Sequence, residues 1–309
     1  MNRTSARRVI VTGAASGIGL ETALQIAAQG DHVIVADRNA AGGQAVVQRI
    51  SGAGGVAEFR ALDLGDLAHI RAFAADELAR ELPLDVLVNN AGLLPPMHRA
   101  TTRDGFELEF GVAHLGHFAL TGLLLPALLR SRGPARVVSV SSLSHGSGHI
   151  DLADLQHERG YKASQAYTRT KLACLMFALE LDRRARACGC PLLSVAAHPG
   201  VARTPIAAGW DLEDRRTLWD RFERIGYHAY LRVFGQSAAD GARPLVYAAT
   251  APDIRGGGYY GPVGFHQASG PPGEVKSSRR ARDEACAAGL WAASVDMTGV
   301  GFDALTTSR

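Results

Sequence analysis

Cysteine is scarce in this chain: Cys174, Cys188, Cys190 and Cys286 are the whole complement among 309 residues. Cys188 and Cys190 stand close together, but no second pair lies at the spacing a zinc site needs. The expectation is therefore plain thiols in a reduced, cytoplasmic compartment. Long apolar runs are missing too. The most apolar stretch, Phe118–Leu129, falls short of the roughly 20 residues that span a bilayer and holds Pro126. The start, Met1–Arg8, is polar and basic, without the apolar segment of a signal peptide. The reading is a soluble protein with no membrane span. Neither sign of charge dominates. The formal net charge is +3, and the one basic cluster, Arg279-Arg280-Ala281-Arg282, is followed at once by Asp283 and Glu284. That pattern gives no support for a nucleic-acid partner. The histidines His145, His149, His157, His198 and His266 are scattered, so no metal site is expected.

What the chain has is rhythm. Hydrophobic residues make up 47%, enough for a sizeable core. Short β-branched runs, Arg8–Thr12, His32–Ala36, Val56–Ala61, Val86–Asn89, Arg136–Ser141 and Leu192–Ala197, read as strands. Between them Leu20–Gln29, Ala40–Ser51, Leu67–Glu81, Phe106–Arg130 and Tyr167–Ala187 read as helices. Alternation of this kind predicts βαβ units. The fold class is α/β, a doubly wound parallel sheet covered by helices on both faces. No linker or repeat divides the chain, so residues 1–309 are expected to form one domain. Two late regions break the rhythm. Pro205–Gly235 is irregular and carries Trp210, Trp219, Phe222, Tyr227 and Tyr230, and Gly256–Gly273 is rich in Gly and Pro. Both stand where such a sheet can place a lid over its carboxyl ends. Residues 256–309 form a C-terminal extension.

Three segments carry candidate cofactor chemistry. Thr12-Gly13-Ala14-Ala15-Ser16-Gly17-Ile18-Gly19 follows a strand and opens a helix. Glycines there let the backbone turn and approach a pyrophosphate, which the helix N-terminus then binds. The second strand ends at Asp37-Arg38. A carboxylate there accepts hydrogen bonds from ribose hydroxyls and repels a 2′-phosphate, whereas a guanidinium attracts one. NAD is the preferred cofactor, and NADP stays open. Asp63-Leu64 ends the third strand near the adenine, and Asn90-Ala91-Gly92 follows the fourth, with room for a ribose.

Tyr167 and Lys171 stand four residues apart on a helix, hence on one face. An ammonium beside a phenol favours the phenolate, which lets the pair give or take a proton. Tyr161 is a rival, but Gln165 carries no charge. Ser139, Ser141, Ser142 and Ser144 end the fifth strand, where a hydroxyl can bond a carbonyl oxygen as it gains charge.

Together these segments, with Pro199-Gly200 after the late strand, resemble the short-chain dehydrogenase/reductase family across most of the chain. The finer resemblance is to retinol-dehydrogenase-like and uncharacterised bacterial members. It rests on His114-Leu115-Gly116-His117-Phe118, Ser141-Ser142, Lys171–Leu181, His198-Pro199-Gly200 and a tail from Gly257-Gly258-Tyr259-Tyr260 through Ala281-Arg282-Asp283 to Leu290-Trp291. The resemblance implies a Rossmann-type domain and an NAD(P)-dependent oxidoreductase that interconverts a secondary alcohol and a ketone or aldehyde. In that reading Tyr167 exchanges the proton, Lys171 holds the nicotinamide ribose, and Ser142, the second serine of its pair, orients the oxygen. Ser144 stays an alternative. Val201 and Thr204 would contact the carboxamide and phosphates, residues 205–235 would form the substrate lid, and the substrate would be apolar. Family members often pair through long helices, so a homodimer or homotetramer is implied.

One position departs from the family. An Asn usually stands just before His-Leu-Gly, where it helps hold a water behind the catalytic Lys; here the residue is Ala113. The expectation is a relay rebuilt from backbone carbonyls and water. The alternatives are an impaired enzyme, a cofactor-binding regulatory scaffold, and a non-redox cyclase or epimerase. His114 points elsewhere on the helix, since one residue turns it by about 100°.

Overall fold

A computed structural model describes residues 6–202 and 235–305. Six parallel strands come first in the sheet: β1 Arg8–Thr12, β2 His32–Asp37, β3 Val56–Ala61, β4 Val86–Asn89, β5 Ala135–Val140 and β6 Leu192–Ala197. Their order is β3-β2-β1-β4-β5-β6, followed by β7 Tyr259–Pro262 and the antiparallel edge strand β8 Pro272–Glu274. The chain leaves β1 toward one edge and resumes at β4 toward the other. Strand order therefore reverses between β1 and β4, the switch point at which open α/β sheets bind ligands. Register brings the strand ends level: Val11 pairs with Val35 and with Val88, and Asn89 pairs with Ser139.

Strand side chains alternate between the faces, and both faces are apolar. Ile10, Ile34, Leu87 and Val137 point to one side, into a core with Phe118, Phe177, Leu181 and Trp291. Val9, Val11, Val33, Val35, Val86 and Val138 point to the other, against Ala23, Ile26, Val46 and Leu245. The helices that cover them are α1 Gly17–Ala27, α2 Ala40–Gly52, α3 Leu67–Ala79, the single turn α4 Leu108–Phe110, α5 Gly116–Leu128, α6 Ala163–Ala187, α7 Ala238–Thr250 and α8 Glu284–Thr298. Side-chain caps fix several starts. Asn39 accepts from the Gly42 N–H, Asp66 from Ala68 and His69, and Asp283 from Cys286.

Two expectations need correction, and one helix bears on a third. Gly256–Gly273 contributes part of the sheet edge, because Tyr259–Pro262 forms β7, whose Tyr259 and Tyr260 pair with Ala196 and Ala197, and Pro272 opens β8. Cys188 and Cys190 are joined by a disulfide instead of standing as plain thiols. Gly189, with φ +67°, turns the chain back at the end of α6 and brings the two Cα atoms to 5.4 Å. Finally, Leu108–Leu128 spans 21 residues, long and apolar enough to cross a membrane by length and composition, and 78% of its most apolar 18-residue window is buried inside the fold. The same stretch is interrupted by a π-turn at Gly111–Leu115.

The aromatic region 205–234 and Thr204 lie outside the described residues.

Candidate active site

The carboxyl ends of β1 to β6 open onto one cleft of about 680 Å³. β1 passes into α1 through the glycine loop. Gly13, at φ +65°, backs onto the β4 end, where an added Cβ would stand 2.7 Å from the Ala91 Cα. A Cβ on Gly19 would collide with the Gly13 carbonyl and the Asn90 amide. Gly17, at φ +56°, faces open space. Two glycines therefore let α1 close against the strand ends, and one turns the chain without filling the cleft. Ser16 precedes α1 in extended conformation without capping it, and no acidic residue stands in the first turn. The first N–H groups of α1 and the positive end of its dipole are left for a ligand.

The β1 and β4 ends are tied together. The Thr12 hydroxyl accepts from the backbone N–H of Asn90 at 2.9 Å and of Ala91 at 3.0 Å, and the Asn90 amide donates to the Thr12 carbonyl at 2.8 Å. His117 locks the same hydroxyl from behind. Its Nδ1 donates to the Ala113 carbonyl at 2.9 Å, which leaves Nε2 to accept from Thr12 at 2.8 Å. Burial pushes the His117 pKa down to about 4, and the Lys171 ammonium adds to that push.

At the far end, Asp37 accepts from Ala15 N–H at 3.0 Å and Asn39 N–H at 2.9 Å, so its carboxylate is fixed at the cleft edge. Arg38 lines the cleft beside it and makes no ion pair among the described residues. Asp63 accepts from Gly65 N–H at 2.8 Å.

At the near end, Lys171 Nζ sits 5.5 Å from the centre of the Tyr167 ring. Lys171 is 7% exposed. Burial alone would lower its pKa, but Tyr167, Cys174 and Glu109 outweigh that effect and the net shift is upward. A Cβ on Gly92 would lie 3.2 Å from Lys171 Nζ, so the small residue makes room for the ammonium. The four serines separate. Ser139 is buried, and Ser141 is spent donating to the Lys171 carbonyl at 2.7 Å. Ser141 also lines the cleft, as do Ser142 and Ser144, and Ser142 caps the short turn that follows β5. Tyr161 donates to the Pro96 carbonyl at 2.8 Å, and burial, with Glu107 and Glu109, pushes its pKa up.

The structure places Gly13, Ser16, Gly17, Ile18, Gly19, Asp37, Arg38, Asp63, Leu64, Asn90, Ala91, Gly92, Ser142, Tyr167, Lys171, Pro199, Gly200 and Val201 around this one cleft. Ala113 does not line it. Ala113 lies behind the wall, in a narrow void shared with Asn89, His114, His117, Ser139, Cys174 and Phe177. Both lone pairs of its carbonyl are taken, by His117 and by the Cys174 thiol at 3.2 Å. His114 turns away to bond Ser294 of α8 at 2.9 Å. Sequence reasoning missed the apolar wall made by Leu93, Leu94, Val140 and Leu143. Its signal was available, since each of these residues immediately adjoins a segment already singled out. Glu109 was missed as well, a carboxylate inside an apolar stretch and fully buried.

The short chain dehydrogenase family profile matches residues 7–214. The chain belongs to that family and is an oxidoreductase of the α/β Rossmann type. It is 43% identical to mouse (Mus musculus) polyprenol dehydrogenase over 96% of this chain and 84% of that one. It is 38% identical to human (Homo sapiens) retinol dehydrogenase 13 over 95% and 85% of the respective chains. Among solved structures, a Mycobacterium paratuberculosis protein matches with TM-score 0.76 and 39% identity, over 96% of this chain and 94% of that one. A Beutenbergia cavernae protein described as an NAD(P)-dependent gluconate 5-dehydrogenase, with NADP bound at low occupancy, matches with TM-score 0.62 and 26% identity over 80% and 90%.

Proposed function

We propose that this oxidoreductase interconverts an apolar alcohol and its carbonyl product, a secondary alcohol with its ketone or a primary alcohol with its aldehyde, with NAD preferred to NADP. The observation that carries the reading is the placement of Lys171 Nζ at 5.5 Å from the Tyr167 ring on the cleft wall that also bears Ser142. The residues present fit a dinucleotide: the open cradle over Gly17, the uncapped start of α1 and the fixed Asp37 carboxylate suit pyrophosphate and ribose in turn. A bound nicotinamide would supply the hydride acceptor or donor. Tyr167 takes the alcohol proton, or returns it to a carbonyl. Lys171 places positive charge beside that phenol, and Ser142 donates to the substrate oxygen as it becomes negative. Leu93, Leu94 and Leu143 line the same cleft, and the names of the polyprenol and retinol relatives support an apolar alcohol.

Asp37 carries the preference for NAD, because its fixed charge repels a 2′-phosphate. Arg38, without an ion pair among the described residues, favours NADP as the second reading. Titration with NADH and NADPH, followed by nicotinamide fluorescence, separates them: tighter NADH binding supports Asp37, and tighter NADPH binding supports Arg38. Turnover of all-trans-retinol and a panel of secondary alcohols should be lost in Tyr167→Phe. The engaged carbonyl of Ala113 favours one rival, a scaffold that binds the cofactor without net redox chemistry. Binding without turnover on that panel would establish the rival. A cytoplasmic homodimer or homotetramer completes the proposal, and light scattering of the purified protein checks the assembly.

A further inference from the structure

Among the described residues one acidic side chain is buried with no hydrogen bond at all. Glu109 is 0% exposed, and neither carboxyl oxygen has a partner. Burying a charge without partners is costly, so an unpaired buried carboxyl marks a place where a neutral acid or a distant counter-charge is tolerated. Glu109 stands in α4, which packs on α6, the helix of Tyr167 and Lys171. Ala113, one turn further on, contributes only a methyl group, and its Cβ and Lys171 Nζ lie 3.9 and 3.2 Å from one point, the Cβ position of Gly92.

We propose that Glu109 is a positioning residue of this site that acts through Lys171, its carboxyl setting the net charge beside that lysine. The inference rests on the reading of Tyr167 and Lys171 as the proton-exchanging pair. Every titratable neighbour is consistent with it. The charges of Lys171 on α6 and of Glu107 in its own turn act on Glu109, and Glu109 in turn acts on the Cys174 thiol of α6 and on Tyr161 in the segment before it. Glu107 is itself bonded to the N–H groups of Glu109 and Phe110 and is acted on by Arg99 and Arg169. Burial pushes the Glu109 pKa up to about 8, against the pull of Lys171 and with a push from Glu107. The acid is therefore neutral at pH 7 and ionises just above it. While neutral, it leaves the full charge of Lys171 to act on the phenol. Once ionised, it offsets that charge.

Two measurements test this. Infrared difference titration follows the carbonyl stretch of a protonated carboxylic acid and needs no substrate. The band should vanish with a midpoint near 8, be missing from Glu109→Gln, and move to higher pH in Lys171→Met, where the ammonium no longer favours the anion. A midpoint unmoved by Lys171→Met overturns the proposal. In turnover of all-trans-retinol, oxidation by the natural protein should level off above the same midpoint, while Glu109→Gln keeps rising. The difference should reach roughly tenfold, the equivalent of one pK unit, and should appear in kcat rather than KM. Superimposable profiles overturn it. Glu109→Met, similar in length and without unmet hydrogen bonds, must behave as Glu109→Gln does. Retained turnover in Tyr167→Phe would instead sink the reading of the pair, and would leave the infrared result standing.

Discussion

Replacing the Glu109 carboxyl by an amide should change how stability depends on pH, and the magnitude follows from the surroundings of the group. In the unfolded chain its pKa is the ordinary 4.5; in the fold, burial raises it to about 8. Between those values the folded state holds a proton that the unfolded chain has lost. The stability contributed by this group is complete below pH 4.5 and is lost as pH rises through 8. Each pH unit inside the window is worth about 1.4 kcal/mol. Moving from pH 6.5 to 8 should therefore remove about 2 kcal/mol. The upper part of the window is the clean part. Burial lowers the buried histidines His114, His117 and His198 from 6.5 to about 3, 4 and 4, so their contribution is present above 6.5 and is lost only on acidification. Urea unfolding of the natural protein and of Glu109→Gln at the two pH values reads the difference directly. The natural protein should lose about 2 kcal/mol more than the variant. Equal losses in the two proteins would refute the premise that Glu109 is a neutral acid in the fold.

Two further outcomes follow from the same structure. Acidification from pH 6.5 to 5 should cost about 2 kcal/mol for each of His114, His117 and His198, since each must fold neutral; a thermal melting temperature that holds steady over that range would contradict their burial. Ala113→Asn should raise turnover if the missing side chain limits proton exchange, and an unchanged rate would show that position 113 is not limiting.

The sheet was legible because its strands are short, apolar on both faces and bounded by turns. Arg8–Thr12, Val56–Ala61, Val86–Asn89 and Leu192–Ala197 fall where the pattern places them. The edge strands were not legible. Tyr259–Pro262 is four residues long and Pro272–Glu274 three, and both sit in a Gly- and Pro-rich stretch whose composition reads as loop. Helix α7 was missed because Pro244 interrupts its pattern. At the site, a four-residue spacing was enough to predict that Tyr167 and Lys171 share a helix face, and local order was enough to place Asp37 at a strand end. The choice of Ser142 rested on the family resemblance, and the coordinates add a reason for it, since the packing of α6 on β5 has Ser141 donating to the Lys171 carbonyl. Glu109 was hidden for the opposite reason. An acidic residue between Leu108 and Phe110 reads as the solvated face of a helix, and nothing local says that α6 covers it.

The charges of the cleft are segregated in a way that explains why a buried carboxyl matters there. Asp37 ends β2, Arg38 follows it and Asp63 follows β3 at one end, and Lys171 is the only charged residue among those described at the other. Nearby histidines do not dilute it, since burial keeps His114 and His117 neutral through physiological pH, with Lys171 helping at His117. A single ammonium only 7% exposed acts at lowered dielectric, where one added charge changes the local potential more than it would in water. Under those conditions a group that ionises near pH 8 is the strongest control available on the Tyr167–Lys171 pair. Glu109 is that group among the described residues, because Cys174, which shares its surroundings, is pushed up to about 11 by burial and stays a thiol.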